Sequence, residues 1–323
     1  MQFTKEDLEA AHRLVTASML PTPQHAWPLL AERAGAQVFV KHENHTPTGS
    51  FKVRGALTFI DWLTRTHPEV RGICTATRGN HGQGQAWAAT SAGLKAKVYV
   101  PHGNSKEKNA AMRAFGADLI EFGEDFDTAR EEAYRVAEEE NLFIVPPFHR
   151  ELVRGVATYG YELFSAVPDL DAVYVPIGCG SGICGTILAR DALGAKAEVI
   201  GVVSENAPTA KLSVEQGRLV ETESSKTFAD GMAVRVPVAE ALEIYGQKAA
   251  RILTVSDEEV AEAIRIYYSD THNLAEGAGA APLAALMQER DRMRGRKVAV
   301  ILCGGNIDRE WFLAVMQGGV PQV

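Results

Sequence analysis

The sequence predicts an α/β protein made of two doubly wound lobes, and three observations carry that prediction. Short β-rich runs alternate with helical patterns almost throughout the chain. The runs are continuously apolar, the mark of parallel strands covered on both faces. There are nine of them, too many for one open sheet.

Taken in order, MQFTKEDLEAAHRLV is an amphipathic, acidic helix pattern without the apolar core of a signal peptide. QVFVK (37–41) reads as the first strand. TPTGSFKVRGA (46–56) begins a helix, with Thr48 and Ser50 as N-cap candidates and Lys52 and Arg54 in the first turn. Cations there oppose the helix dipole by about 0.3–1 kcal/mol each, so their placement needs a reason. Strands follow at GICTA (72–76), AKVYV (96–100), DLIEF (118–122) and LFIV (142–145), then DAVYVPI (171–177), EVIGVV (198–203), ILTV (252–255) and KVAVILCGG (297–305). Helical patterns lie between them, among them GQAWAATSAGL, KEKNAAMRAFGA and DEEVAEAIRIYY. Pro146 and Pro147 mark the expected crossover between lobes. The division is therefore 1–50 with 149–323 for a large lobe and 51–148 for a small one. No C-terminal regulatory domain is expected after the final helix.

Composition narrows the function. With 46% hydrophobic and 23% charged residues, the 323-residue chain has an ordinary globular make-up. A net charge of −8 without any Lys/Arg-rich block argues against nucleic-acid or anionic-membrane partners. No apolar run approaches the ~20 residues of a membrane span. Cys74, Cys179, Cys184 and Cys303 are scattered, without CxxC or zinc spacing, and read as reduced thiols of a cytoplasmic protein.

Four stretches carry chemistry. PIGCGSGICGT (176–186) follows an apolar strand and opens a helix, where backbone N–H groups and the helix dipole favour an anion. Gly180, Gly182 and Gly185 also spell GxGxxG, with Glu205 twenty residues on, the spacing of a dinucleotide fingerprint. That stretch alone would support an NAD-dependent oxidoreductase. TATRGNHGQGQAWAA (75–89) places Gly79, Asn80, His81 and Gly82 at a strand's carboxyl end, where ligands gather in such sheets. Asn80 offers a directional hydrogen bond; His81 is a general base or a buttress of the loop, and Arg78 an anion partner or a solvated charge. In LCGGNID (302–308) Cys303 faces the cleft or fills the core as a small hydrophobe. In AEGAGAAPLAAL (275–286) Glu276 is a cleft carboxylate or a favourable charge at a helix start.

These loops, in this order, resemble the fold-type II pyridoxal-phosphate enzymes, specifically the threonine/serine dehydratase (ammonia-lyase) and serine racemase family. SFKVRGA is similar to the family's Schiff-base lysine motif, TRGNHGQ to its asparagine loop, GCGSG to its phosphate cup and CGGN to the strand end meeting the pyridine nitrogen. The likeness spans nearly the whole chain and implies a tryptophan-synthase-β-like fold with the active site between the lobes. It further implies pyridoxal 5'-phosphate held by Lys52, which would also be the catalytic base. Gly178, Cys179, Gly180, Ser181 and Gly182 would hold the phosphate. Asn80 would meet the ring oxygen, Phe51 the ring face and Cys303 the ring nitrogen. Thr77, Arg78, Gly79, Asn80 and His81 would line the substrate. The implied reaction is elimination of water from a β-hydroxy-α-amino acid of the L-threonine/L-serine type, giving a 2-oxo acid and ammonia. Dehydration of 3-phenylserine or 3-hydroxyaspartate, or racemisation, are the alternatives, and a homodimer is expected.

Three departures from the family pattern stand out. Arg78 stands where racemases carry a serine base, and a guanidinium is a poor proton donor. Glu205 matches the first acid of metal-binding relatives, but Lys211 falls at the second, so no metal requirement is expected. His149 and Arg150 replace acidic residues in PPFHRELVRGVAT (146–158); with Arg78 they would suit a second substrate carboxylate.

Overall fold

The computed structural model describes residues 1–323. Its ten strands are β1 (Gln24–Ala26), β2 (Gln37–His42), β3 (Gly72–Ala76), β4 (Lys95–Val100), β5 (Asp118–Glu121), β6 (Phe143–Ile144), β7 (Ala172–Pro176), β8 (Glu198–Ser204), β9 (Arg251–Val255) and β10 (Lys297–Leu302). They form a six-stranded sheet ordered β1-β2-β10-β7-β8-β9 and a four-stranded sheet ordered β5-β4-β3-β6. Every pairing is parallel except β1 with β2.

The helices of the first part are α1 (Lys5–Thr16), α2 (Pro28–Ala34), α3 (Lys52–Thr66), α4 (Asn80–Ser91), α5 (Lys106–Ala114), α6 (Phe126–Glu140) and α7 (Arg150–Ala166). Those of the second part are α8 (Ser181–Leu193), α9 (Thr209–Gln216), α10 (Ala239–Lys248), α11 (Asp257–Thr271), α12 (Gly277–Gln288), α13 (Arg290–Met293) and α14 (Arg309–Met316). No helix is long and apolar enough to cross a membrane.

Local chemistry sets the helix starts. Thr4 and Asp7 form a reciprocal capping box on α1, and Ser256 with Glu259 does the same on α11. Asp125 caps α6. The central strands are as apolar as the sequence pattern requires: Val173 and Val175 on β7, and Val298 and Val300 on β10, are fully buried.

Two expectations are corrected. β1 is an extra strand, too short and too exposed to give an apolar run, and it exists through its pairing with β2. Thr48 and Ser50 do not cap α3. The Thr46 and Thr48 hydroxyls donate to the Ser50 carbonyl, and α3 starts after Phe51 without a side-chain cap.

Helices α3 and α7 bring the two sheets' layers together. Gly155 allows this crossing, because a Cβ there would collide with the Arg54 carbonyl and the Thr58 hydroxyl. Beneath it lies a charge cluster sealed from water. Arg54 binds Glu43 (2.7 and 3.0 Å) and Glu162 (2.8 and 2.9 Å), and Lys41 binds Glu162 at 2.5 Å. Two cations and two carboxylates therefore balance inside the core.

Candidate active site

The carboxyl ends of β3, β7 and β10 carry the loops singled out in the sequence, and α3, α4 and α8 start from the same region. The segment before α3 is fastened to the turn after β10. Ser50 pairs antiparallel with Gly304, the Phe51 N–H donates to the Cys303 carbonyl (3.0 Å), and the Gly305 N–H donates to the Gly49 carbonyl (2.9 Å). This fixes Lys52 at the first position of α3, over the end of β10.

The Lys52 amine lies 3.5 Å from the Ser181 hydroxyl, which heads α8. It also stands 4.8 Å from the centre of the Phe51 ring, which packs edge-on against Tyr159. Tyr159 in turn donates to the Gly182 carbonyl (2.8 Å), so one buried phenol braces the start of α8.

The loop before α8 is shaped by absent side chains. Gly180 has φ +94°, and a Cβ there would stand 2.6 Å from Ala241. A Cβ on Gly178 would collide with the Gly231 carbonyl. Glycine thus lets this loop pack closely against Gly231 and Ala241, and it leads into the first N–H groups of α8, which have no partner within the helix.

In the loop after β3, the buried Thr77 hydroxyl accepts from the N–H groups of Gly79 (3.1 Å) and Gly82 (3.4 Å). Asn80 begins α4 and donates from Nδ2 to Glu276 Oε1 at 2.7 Å. His81 is half-buried, with Nε2 sealed from water; burial, then the Lys52 charge, push its pKa down to about 3, so it stays neutral. That environment suits a buttress better than a working base at neutral pH. Arg78 is exposed, and the opposite charge of Asp125 is the one it influences.

Glu276 is buried before α12. Burial pushes its carboxyl up to about 7, against the pull of the Lys108 ammonium. Lys108 crosses from α5 to pair with Asp230, its stem running against Gly79. Burial, then the nearby Glu276 charge, raise the Cys303 thiol well above its ordinary value, leaving it neutral.

His149 and Arg150 are placed elsewhere. His149 caps α7 and packs on Phe59 and Trp62, while Arg150 donates to the Gln2 carbonyl and lies over the Phe3 ring. Lys211 pairs with Glu215 along α9, and Glu205 is exposed.

Sequence reasoning left Glu276 undecided and passed over Lys108, Asp230 and Asn306. Asn306 was visible as the last letter of CGGN, but Lys108 sits in an amphipathic helix where a lysine reads as a solvated charge.

A pyridoxal phosphate group fits this arrangement on the chain's own features. The glycine loop that opens α8 suits a phosphate, and an amine stands beside it. Ser50 Oγ, His81 Nε2 and Glu276 Oε2 are buried without any protein partner, on residues that adjoin Lys52 and Asn80 or bind Asn80.

Comparison with known proteins defines the class: residues 15–304 match the family described as pyridoxal-phosphate dependent enzymes. The chain belongs to that family, and its cofactor is pyridoxal phosphate. Among its relatives is an L-threonine ammonia-lyase of Thermotoga maritima, 36% identical over 319 residues, 98% of this chain and 79% of that one. A serine racemase of Schizosaccharomyces pombe is 30% identical over 310 residues, covering 96% of each. Threonine deaminase isoform 2 of Solanum lycopersicum superposes with a TM-score of 0.89 at 27% identity, covering 98% of this chain and 94% of that one. With pyridoxal phosphate as the cofactor, the oxidoreductase reading of the GxGxxG run falls away.

Proposed function

We propose that this protein eliminates water from a β-hydroxy-α-amino acid of the L-threonine/L-serine type, giving a 2-oxo acid and ammonia. One observation carries the reading: the Lys52 amine stands 3.5 Å from the Ser181 hydroxyl, at the glycine loop that opens α8. The relatedness to an L-threonine ammonia-lyase supports it.

When bound, pyridoxal phosphate supplies an electrophilic carbonyl carbon and a ring that accepts electron density from the substrate's Cα. Gly178, Cys179, Gly180, Ser181 and Gly182 are assigned to its phosphate, Asn80 to the ring oxygen, Phe51 to the ring face and Cys303 to the ring nitrogen. A neutral thiol offers that nitrogen no counter-charge. The ring is then a moderate electron sink, which favours rapid loss of a β leaving group.

Lys52 Nζ is the base that takes the Cα proton. The Cβ–O bond then breaks, the hydroxyl leaves as water, its added proton balanced by the one Lys52 took from Cα, and the released enamine hydrolyses to 2-oxo acid and ammonia. Thr77, Gly79, Asn80 and His81 are assigned to the substrate's carboxylate end, with Arg78 at the rim. Racemisation would need a proton donor on the opposite face, and a guanidinium does not serve. With His149 and Arg150 packed elsewhere, Arg78 alone is left for a second substrate carboxylate. We assign residues 51–148 to a smaller lobe that covers the substrate, and place the protein in the cytoplasm as a homodimer.

The test is 2-oxo acid release from L-threonine, L-serine, L-threo-3-hydroxyaspartate and L-threo-3-phenylserine, compared on one holoenzyme preparation. L-Threonine or L-serine is expected to turn over best, and Lys52→Ala to abolish both turnover and borohydride-trapped cofactor. Turnover retained in Lys52→Ala would overturn the assignment.

A further inference from the structure

Asn80 is held from both sides, and the direction of each bond can be deduced from one carbonyl. The Thr48 carbonyl can only accept. Asn306 Nδ2 donates to it at 2.9 Å, which sets the orientation of the Asn306 amide. The second hydrogen of that Nδ2 goes to Asn80 Oδ1 at 2.8 Å, which sets the Asn80 amide in turn. Asn80 Nδ2 then faces Glu276 Oε1 at 2.7 Å, an acceptor whether Glu276 is charged or neutral. One N–H of Asn80 is left without a protein acceptor. Gly49, at φ +68°, makes room for this chain, since a Cβ there would collide with the Asn306 amide.

We infer that Asn306 and Glu276 are positioning residues, forming with the Thr48 carbonyl a one-way hydrogen-bond relay that aims the remaining N–H of Asn80 at the cofactor ring. The inference rests on the proposed placement of the cofactor beside Lys52 and Asn80. Asn306→Asp removes both donors, so the Asn80 amide loses its fixed direction. Glu276→Met removes the acceptor at the far end, whereas Glu276→Gln keeps an acceptor oxygen in reach of Asn80.

The experiment compares wild type with these three variants as holoenzymes. The readouts are the ratio of the cofactor's visible to near-ultraviolet absorption bands and the cofactor Kd. Asn306→Asp and Glu276→Met are expected to change the band ratio and to weaken cofactor binding about threefold to tenfold, the factor one hydrogen bond carries. Glu276→Gln is expected to keep the wild-type spectrum and affinity. A wild-type ratio in Asn306→Asp or Glu276→Met, or a Glu276→Gln that behaves like Glu276→Met, would overturn the relay. Should Asn306→Asp fail to fold, the contrast between the two Glu276 variants decides alone. Borohydride trapping on Lys52 in wild type keeps the two readings apart. Trapping with unmoved spectra in the variants refutes the relay, and absence of trapping in wild type refutes the cofactor placement.

Discussion

Lys52 and Arg54 stand two positions apart at the start of one helix, and the structure gives them different reasons to be there. Lys52 faces the glycine loop, while Arg54 turns inward and is fully buried. Its guanidinium donates to Glu43, Glu162, Thr158 and Thr22, and those carboxylates raise its pKa against the burial that would lower it. Removing one member of such a cluster leaves a charge uncompensated in the core. Arg54→Met is therefore expected to cost about 3–5 kcal/mol, read as a lower urea midpoint at unchanged m. Arg54→Lys should rescue little, because one ammonium cannot replace the planar fork. The sequence showed two cations at a helix start but could not tell them apart. Their partners come from residues 22, 43, 158 and 162, brought together only by the fold.

The elements divide by how locally they are determined. The parallel strands are readable because burial on both faces makes them continuously apolar, and α1 and α11 because their helical patterns are local to each segment. β1 was not readable: three residues with one half-buried side chain exist as a strand only through β2. The site divides the same way. Lys52, Asn80 and the loop at 178–182 lie in local glycine-rich signatures, whereas Asn306 acts on a residue 226 positions away and Lys108 on one 122 away. The α3–α7 crossing supplies a prediction at this scale. Gly155→Ala would gain about 1 kcal/mol of helix propensity, yet its methyl would press on the Arg54 carbonyl, which cannot swing aside. A net destabilisation of about 1–3 kcal/mol is expected, measured by thermal unfolding against Gly246→Ala, an exposed helical control whose added methyl meets only ordinary contacts.

For the whole molecule, buried titratable groups set how stability depends on pH. His42 and His81 are held near pKa 3, from an ordinary 6.5, first by burial and then by neighbouring positive charge. Each contributes stability that is complete above pH 6.5 and is lost as pH falls towards 3. Glu276 works the other way. With its pKa raised from 4.5 to about 7, its contribution is complete below 4.5 and is lost as pH rises through 7. Glu162 is depressed, burial being outweighed by Arg54, so its contribution is lost as pH falls below 4.5. Between pH 6.5 and 4.5 the losses at the histidines are partly offset by the gain at Glu276, and stability falls gently. Below 4.5 the Glu276 gain has ended and Glu162 adds its own loss, so the fall steepens. Urea midpoints of the cofactor-free protein across that range should show the bend; a constant slope through pH 4.5 would contradict these assignments.

The order of the large sheet has a consequence for synthesis. β10, made long after β2 and β7, is the strand that joins them, and the turn after it fastens the segment carrying Lys52. A chain emerging from the ribosome therefore holds two unjoined half-sheets, each with an open edge, until residues 297–302 are out. Lys52 is set in place by residues made long after it, so a product that stops short of β10 carries the lysine without the contacts that fix it.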